Sequence, residues 1–352
     1  NDGNTIKDVT EEAGIFSGKI GYGLGVGISD LNDDGYPDIY VGNDFFENDY
    51  LYINQKDGTF KEVIHQDQNV LGHTSHFSMG NDLADFNNDG AIDILSMDML
   101  PEDLATYKAS GNEFNYDIYR AYLKNGYAPQ YMQNTLHLNR KNGFFSEMAY
   151  FSGVAASEWS WSGLFTDFDN DGFKDIFISN GIFGATNDMD YISFISSENI
   201  QKRLDAGMTV EDMSMIGEIP QKKIPNYFFK NNGDLTFSKI KNEVASFSNG
   251  AVYADLDNDG DMDLVTNNLN QQAFVYQNMS YENGYKNNFI KIGFEGSGGN
   301  RFGIGAKVSI YSKEKEFTYE NFLSRGYMSS VSPVLTAGLG EQQRIDSIKV
   351  IW

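Results

Sequence analysis

The sequence predicts an all-β fold: a β-propeller of four-stranded blades with calcium loops in its hairpins and helical inserts, followed by a small β module. Three observations predict it. One acidic loop occurs four times, as Asp30-x-Asn32-x-Asp34-Gly35-x-x-Asp38, Asp85-x-Asn87-x-Asp89-Gly90-x-x-Asp93, Asp167-x-Asp169-x-Asp171-Gly172-x-x-Asp175 and Asp255-x-Asp257-x-Asp259-Gly260-x-x-Asp263. Each copy lies inside a longer unit whose flanking strands repeat as well. After Asn278 that unit stops and a different β alternation begins.

The loop comes first. Oxygen-bearing side chains at positions 1, 3 and 5 with Gly at position 6 suit a hard cation, because the chain must turn sharply around it. An EF-hand places its last acid at position 12, before a helix. Here it falls at position 9, and apolar strands follow: Asp38-Ile-Tyr-Val, Asp93-Ile-Leu-Ser, Asp175-Ile-Phe-Ile and Asp263-Leu-Val-Thr. The expected ligands are the side chains at positions 1, 3, 5 and 9 together with the backbone carbonyls of Tyr36, Ala91, Phe173 and Asp261 at position 7. Asn at position 3 lowers the ligand charge of the first two loops, so weaker binding is expected there.

The strands come next. Small residues precede each loop (Gly23-Leu-Gly-Val-Gly27, Ser78-Met-Gly80, Ser162-Gly163, Ser248-Asn-Gly-Ala251), as innermost strands converging on an axis require. A third strand ends in Asn at Asn54, Asn139, Asn231 and Asn278. In three units a Gly turn and a strand carrying Phe60, Phe145 or Phe237 complete the four. Repeated four-stranded antiparallel units describe propeller blades. The second and third units carry excess chain between strands 2 and 3, at 98–133 and 181–226. Loops between strands 1 and 2 leave a blade at the end opposite to connections between strands 2 and 3, so both inserts are expected on the face away from the cations. Asp103–Leu123 and Tyr191–Met215 read as short helices. Residues 1–284 are assigned to blades and 285–352 to a small separate β module, truncated at its end. Ile6–Thr10 reads as the outer strand of a preceding blade, which makes the chain an internal segment of a protein with about seven blades.

Composition narrows the function classes. The net charge of −24 argues against nucleic acid, which needs a basic surface. The ligand positions hold 14 of the 50 acidic residues, so four Ca²⁺ would bring the charge to −16. Without metal each loop repels itself. Cys is absent, which removes disulfide and thiol chemistry from this stretch. No apolar run approaches the ~20 residues of a membrane span.

These loops and their flanks resemble FG-GAP/VCBS repeats, as in the integrin α-subunit propeller. The last ~65 residues, with Asn300-Arg301-x-Gly303-Ile-Gly305-Ala306, Gly326-Tyr327-x-Ser329-Ser330 and Gly338-Leu-Gly340, resemble the ASPIC/UnbV module found in cartilage acidic protein and many bacterial proteins. The combination is similar to the large VCBS-repeat surface lipoproteins of Bacteroidetes. The resemblance implies the extracellular face of an outer membrane, with any membrane attachment through an anchor outside this segment. It implies surface or outer-membrane protein partners, such as a TonB-dependent transporter with a SusD-like lipoprotein, or glycans.

Other candidates read more plainly. His73-x-x-His76 lies in a polar loop without a nearby third ligand. Trp159 and Trp161 share a strand face and read as packing between blades, with a sugar platform as the alternative. Phe114, Tyr116, Tyr119 and Tyr122 are spaced like a helix face docking onto the propeller. Glu147 and Glu158 are acid candidates with no paired carboxylate legible in sequence. The expected function is therefore a calcium-stabilised, non-enzymatic surface propeller that binds proteins or glycans. The alternative is a polysaccharide lyase or glycoside hydrolase on the same scaffold.

Overall fold

In the computed structural model, residues 6–16, 20–110, 116–185, 188–205, 207, 219–280, 284 and 286–352 are described. Three blades have four strands each. The first is Gly23–Ser29, Asp38–Asn43, Tyr50–Asn54 and Phe60–Glu62; the second is Asn81–Ala84, Asp93–Ser96, Thr135–Asn139 and Phe145–Glu147; the third is Ser160–Thr166, Asp175–Asn180, Tyr227–Asn231 and Phe237–Ile240. The fourth has three strands among the described residues, Ser248–Ala254, Asp263–Asn268 and Phe274–Tyr276. The hairpin register is identical in all four. Ser29 pairs with Asp38, Ala84 with Asp93, Thr166 with Asp175 and Ala254 with Asp263, so each acidic loop is closed by its own last Asp.

First strands of successive blades pack side by side, which is why they are poor in side chains. A Cβ on Gly27 would overlap Leu83 of the second blade, and one on Gly80 would lie 2.6 Å from the Trp161 carbonyl of the third. Apolar cores fill the space between blades. Tyr40, Leu51, Leu83 and Ile94 lie between the first two, and Phe86, Leu95, Phe165 and Ile176 between the second and third. The second loop residue enters these cores: Leu31 is 5% exposed and Phe86 is fully buried, whereas Leu256 of the fourth blade is 52% exposed.

The long connections between strands 2 and 3 of the second and third sheets carry short helices. The first carries helices Leu104–Ala109 and Tyr116–Lys124, the second Met189–Ile195 and Glu198–Asp205. A β-bridge between Ser110 and Asp188 joins them, so they lie side by side. Tyr122 is buried and donates to the Phe46 carbonyl at 2.9 Å, docking its helix on the first blade, while Tyr116 is 71% exposed. Phe114, much of 206–218 and the Asp2-Gly3 turn lie outside the described residues.

Two expectations require correction. Residues 6–9 form no strand, and Thr10–Gly14 form a turn whose Ala13 carbonyl accepts the Phe60 N–H at 2.8 Å. The segment caps the outer edge of the first blade and so occupies a strand edge that would otherwise be bare. The C-terminal module is also not separate. Its sheets, Asn288–Ile292 with Leu335–Gly340 and Lys315–Glu320 with Lys307–Ser312 and Ser347–Ile351, enclose a core of Val308, Ile310, Phe317, Ala337 and Leu339. They rest on the acidic-loop end of the blades. The hairpin Ser324–Arg325/Ser329–Ser330 then reaches among the first strands: the Gly326 N–H donates to the Asn81 carbonyl at 2.9 Å, and Tyr327 packs on Trp161 at 5.1 Å. A cavity of about 310 Å³ remains between module and blades, lined by Phe165, Lys174, Tyr253, Tyr319 and Arg325 among others.

Candidate metal centres

The four acidic loops fold alike because backbone N–H groups hold their carboxylates in place. Oδ2 of the first Asp accepts the N–H of the loop Gly at 2.8–3.0 Å in every copy. Oδ1 of the fifth residue accepts the N–H of Tyr36, Ala91, Phe173 or Asp261 at 2.9–3.1 Å. The last Asp is held on both oxygens: the N–H of the second loop residue donates to Oδ2 at 2.8–3.2 Å, and the N–H of the Asn ending strand 3 donates to Oδ1 at 2.8 Å. The Gly at position 6 has φ between +85° and +103°, and position 4 is also left-handed, at Asp33, Asn88, Asn170 and Asn258. Asn and Asp tolerate that region and Gly is free in it, so the turn is written in the sequence.

Carboxylate oxygens converge in the third and fourth loops. One ligand atom each of Asp167, Asp169 and Asp175 lies within 4.8 Å of the others, and so do those of Asp255, Asp257 and Asp263. Asp171 stands beside its triad, with Lys230 against both Asp169 and Asp171. In the first two loops the position-3 amide turns to its neighbour, Asn32 Nδ2 donating to Asp34 at 3.0 Å and Asn87 Nδ2 to Asp89 at 3.3 Å. Burial, reinforced by neighbouring loop carboxylates, raises Asp38 to about 6 and Asp175 to about 7, and lifts Asp93 and Asp167 well above the usual carboxylate range. Buried Asp169 Oδ1 and Asp255 Oδ1 have no hydrogen-bond partner. An all-oxygen donor set with buried unpartnered carboxylate oxygens fits a hard cation such as Ca²⁺. A lysine reaches an acid in each loop: Lys56 lies 3.3 Å from Asp34, Lys141 3.6 Å from Asp89, and Lys230 and Lys291 contact Asp169 and Asp255.

The remaining candidates have structural partners. His73 and His76 diverge. His73 Nε2 lies 3.2 Å from Gln133, while His76 stacks on Phe77 at 4.0 Å and is pushed down to about 4 by burial. Glu147 accepts the Leu136 and Ala149 N–H groups, as Glu62 accepts those of Leu51 and Ile64 in the first blade. Glu158 accepts the Glu102 N–H at 3.2 Å. Trp161 Nε1 donates to the Gly181 carbonyl at 2.7 Å, and both tryptophans pack against the core between blades.

The Asn at the end of strand 3 recurs in all four units, and its part in holding the loops is a signal that the acidic spacing does not carry. Most of its partners lie in its own unit, on the far side of the hairpin, and in three copies one carbonyl lies in the preceding blade, so only its recurrence pointed to it.

Residues 30–96 match the FG-GAP-like repeat model and residues 296–352 the ASPIC and UnbV model. Cartilage acidic protein 1 of Homo sapiens is 25% identical over 99% of this chain, and those of Mus musculus and Xenopus tropicalis are 24% and 22% identical over the same share. This chain is similar to cartilage acidic protein 1 over nearly its whole length. It spans 43–44% of the length of these cartilage acidic proteins. A solved structure of an Agrocybe aegerita lectin specific for non-reducing terminal N-acetylglucosamine aligns at a TM-score of 0.33 and 15% identity, over 92% of this chain and 65% of that one. The repeat and module matches suggest an extracellular binding-type protein with a propeller-like β fold. No helix among the described residues is long and apolar enough to cross a membrane.

Proposed function

We propose that this chain is a calcium-stabilised, non-enzymatic part of an extracellular surface propeller, and that it presents its insert face to a protein or glycan. The carrying observation is the fourfold recurrence of one carboxylate geometry, with buried unpartnered oxygens in the third and fourth loops. The loops stabilise the scaffold: removing the cation leaves carboxylates converging without compensation, so binding energy becomes folding energy. Exposed apolar residues on the outer flanks, Val26 and Tyr22 on the first blade and Leu256 and Val275 on the fourth, fit a larger ring of about seven blades. The module covers the loop end, which leaves the opposite face, where the two bridged inserts lie, as the open one. Long loops on a rigid scaffold commonly carry recognition, and Tyr116, Tyr131 and Phe194 are exposed aromatic anchors there. Attachment to an outer membrane and partnership with a transporter and its lipoprotein follow from the bacterial resemblance and belong to this proposal.

Two measurements test it. Excess chelator should lower the melting temperature, and Asp171→Ala should lower it in calcium and shrink the further effect of chelator. An unchanged melting curve contradicts the calcium role. Replacing 98–133 and 181–226 by short Gly-Asn turns should abolish retention of the native partner while the calcium-dependent melting persists. Turnover on a polysaccharide panel would instead establish the enzymatic alternative.

A further inference from the structure

We propose that Asn139, Asn231 and Asn278 are positioning residues that tie each cation loop to the loop of the preceding blade, so that the loops take up calcium as a linked series. The proposal rests on the reading of the loops as cation sites. Each asparagine makes the same four bonds. The Asn139 N–H donates to Asp93 Oδ1 at 2.8 Å, its Nδ2 donates to the Ile92 carbonyl of its own loop at 3.0 Å and to the Leu31 carbonyl of the preceding loop at 2.8 Å, and its Oδ1 accepts the Lys141 N–H at 2.9 Å. Asn231 repeats this with Asp175, Lys174, Phe86 and Gly233, at 2.8–2.9 Å. Asn278 repeats it with Asp263, Met262, Phe168 and Ser280, at 2.6–3.2 Å. Asn54 of the first blade makes the bonds within its own unit.

The link is continuous. Leu31, Phe86 and Phe168 each donate their N–H to the last Asp of their own loop and offer their C=O to the asparagine of the next blade. The last carboxylates of successive loops are therefore joined through one residue and one side-chain amide. A second set of bonds runs forward: Asn88 Nδ2 donates to the Gly172 carbonyl at 2.8 Å, and Asn170 Nδ2 to the Gly260 carbonyl at 3.0 Å. Only a short primary amide supplies two donors and one acceptor at this place; Asp lacks the donors and Ser the reach. Asn139 and Asn231 are buried, so an unmade bond is not replaced by solvent. A cation that fixes one loop thereby fixes the carbonyl on which the next loop's asparagine leans, and the second cation binds a site already ordered.

Calorimetric titration of the whole chain with Ca²⁺ tests the link. In wild type, Asp171→Ala should remove one equivalent and shift the midpoint of the remaining equivalents upward by roughly fivefold or more. In an Asn231→Ala/Asn278→Ala background, where the asparagine links to the third loop are cut and the Asn88 and Asn170 bonds remain, Asp171→Ala should remove one equivalent and move the midpoint clearly less than in the wild-type background. A purely structural asparagine would lower thermal stability without reducing that shift. If the double variant does not fold, Asn278→Ala alone, in the half-buried position, should reduce the shift. Loss of one equivalent from wild type with the others unchanged overturns the link and leaves the cation reading standing. No calcium binding by wild type overturns both.

Discussion

Asp49 stands where the second and third blades carry Asn134 and Asn226. Each residue accepts a backbone N–H at or just past the end of strand 2, from Asn43, Asp98 and Asn180 respectively, at 2.8–2.9 Å. Asp49 also receives the Tyr40 and Ser78 hydroxyls and is fully buried, and that burial pushes its carboxyl up to about 7. A native value above the unfolded one means the folded state keeps a proton that the unfolded state loses between about pH 4 and 7. The penalty of ionised Asp49 is therefore absent near pH 4, grows as pH rises through 7, and is full above it. Asp49→Asn keeps the acceptor for Asn43 and lets both hydroxyls rotate. Its stability relative to wild type should rise between pH 5 and 8, towards an upper limit of about 4 kcal/mol. Denaturant titrations with chelator present, at pH 5 and 8, check this; a variant whose relative stability is flat or falls with pH excludes the buried charge as the cause.

At the scale of elements, what the sequence carried was local. The loop geometry could be read because the acidic residues, the turn glycine and the start of the following strand lie within nine residues. The inserts could be read as excess length between strands that otherwise meet in about a dozen residues. The glycines before each loop, such as Gly27 and Gly163, were legible as small residues on converging strands. Long-range partners were not legible: Asn139 meets Leu31 108 residues away, and nothing local distinguishes that bond from an ordinary strand end. Ile6–Thr10 failed for a related reason, since its apolar-polar alternation fits a strand but the edge available to it is covered by a turn through a single bond from Phe60. The close approach of first strands gives a direct prediction. Gly27→Val places side-chain atoms where Leu83 of the next blade already sits, and should cost about 1–3 kcal/mol as overpacking. The same change at Gly35, which faces open space, should act only through its left-handed backbone. Equal loss from chelator-free thermal melts of Gly27→Val and an exposed control such as Val275→Thr would show that the first strands do not pack as described.

For the whole molecule, the decisive contact is between the last module and the blade axis. Sequence periodicity marked where the module begins but not where it docks, because the docking groups are single residues spread over a hairpin. Arg325 Nη1 donates to Asp82 Oδ1 at 2.7 Å and to the Leu83 carbonyl at 2.8 Å, and Nη2 donates to the Glu320 carbonyl. Asp82 in turn accepts the Phe165 N–H from the third blade at 2.7 Å, so one ion pair joins the module to two blades. Asp82 is 1% exposed and its carboxyl is raised by burial, with Arg325 opposing the shift. Around this pair Lys174 bridges the Asp85 and Thr318 carbonyls, Lys307 reaches Asp33, and the Gly340 N–H donates to the Asn170 carbonyl. With so many shared bonds, module and blades should unfold in one calorimetric transition. Removing one partner of a buried pair strands the other charge, so Arg325→Met should cost about 3–5 kcal/mol, and adding Asp82→Asn should recover part of that loss. The loss should fall on docking: in Arg325→Met the single transition should broaden or divide, with the module melting first. Two well-separated transitions in wild type, or an Arg325→Met variant that melts with wild type, would mean that the hairpin does not anchor the module to the axis.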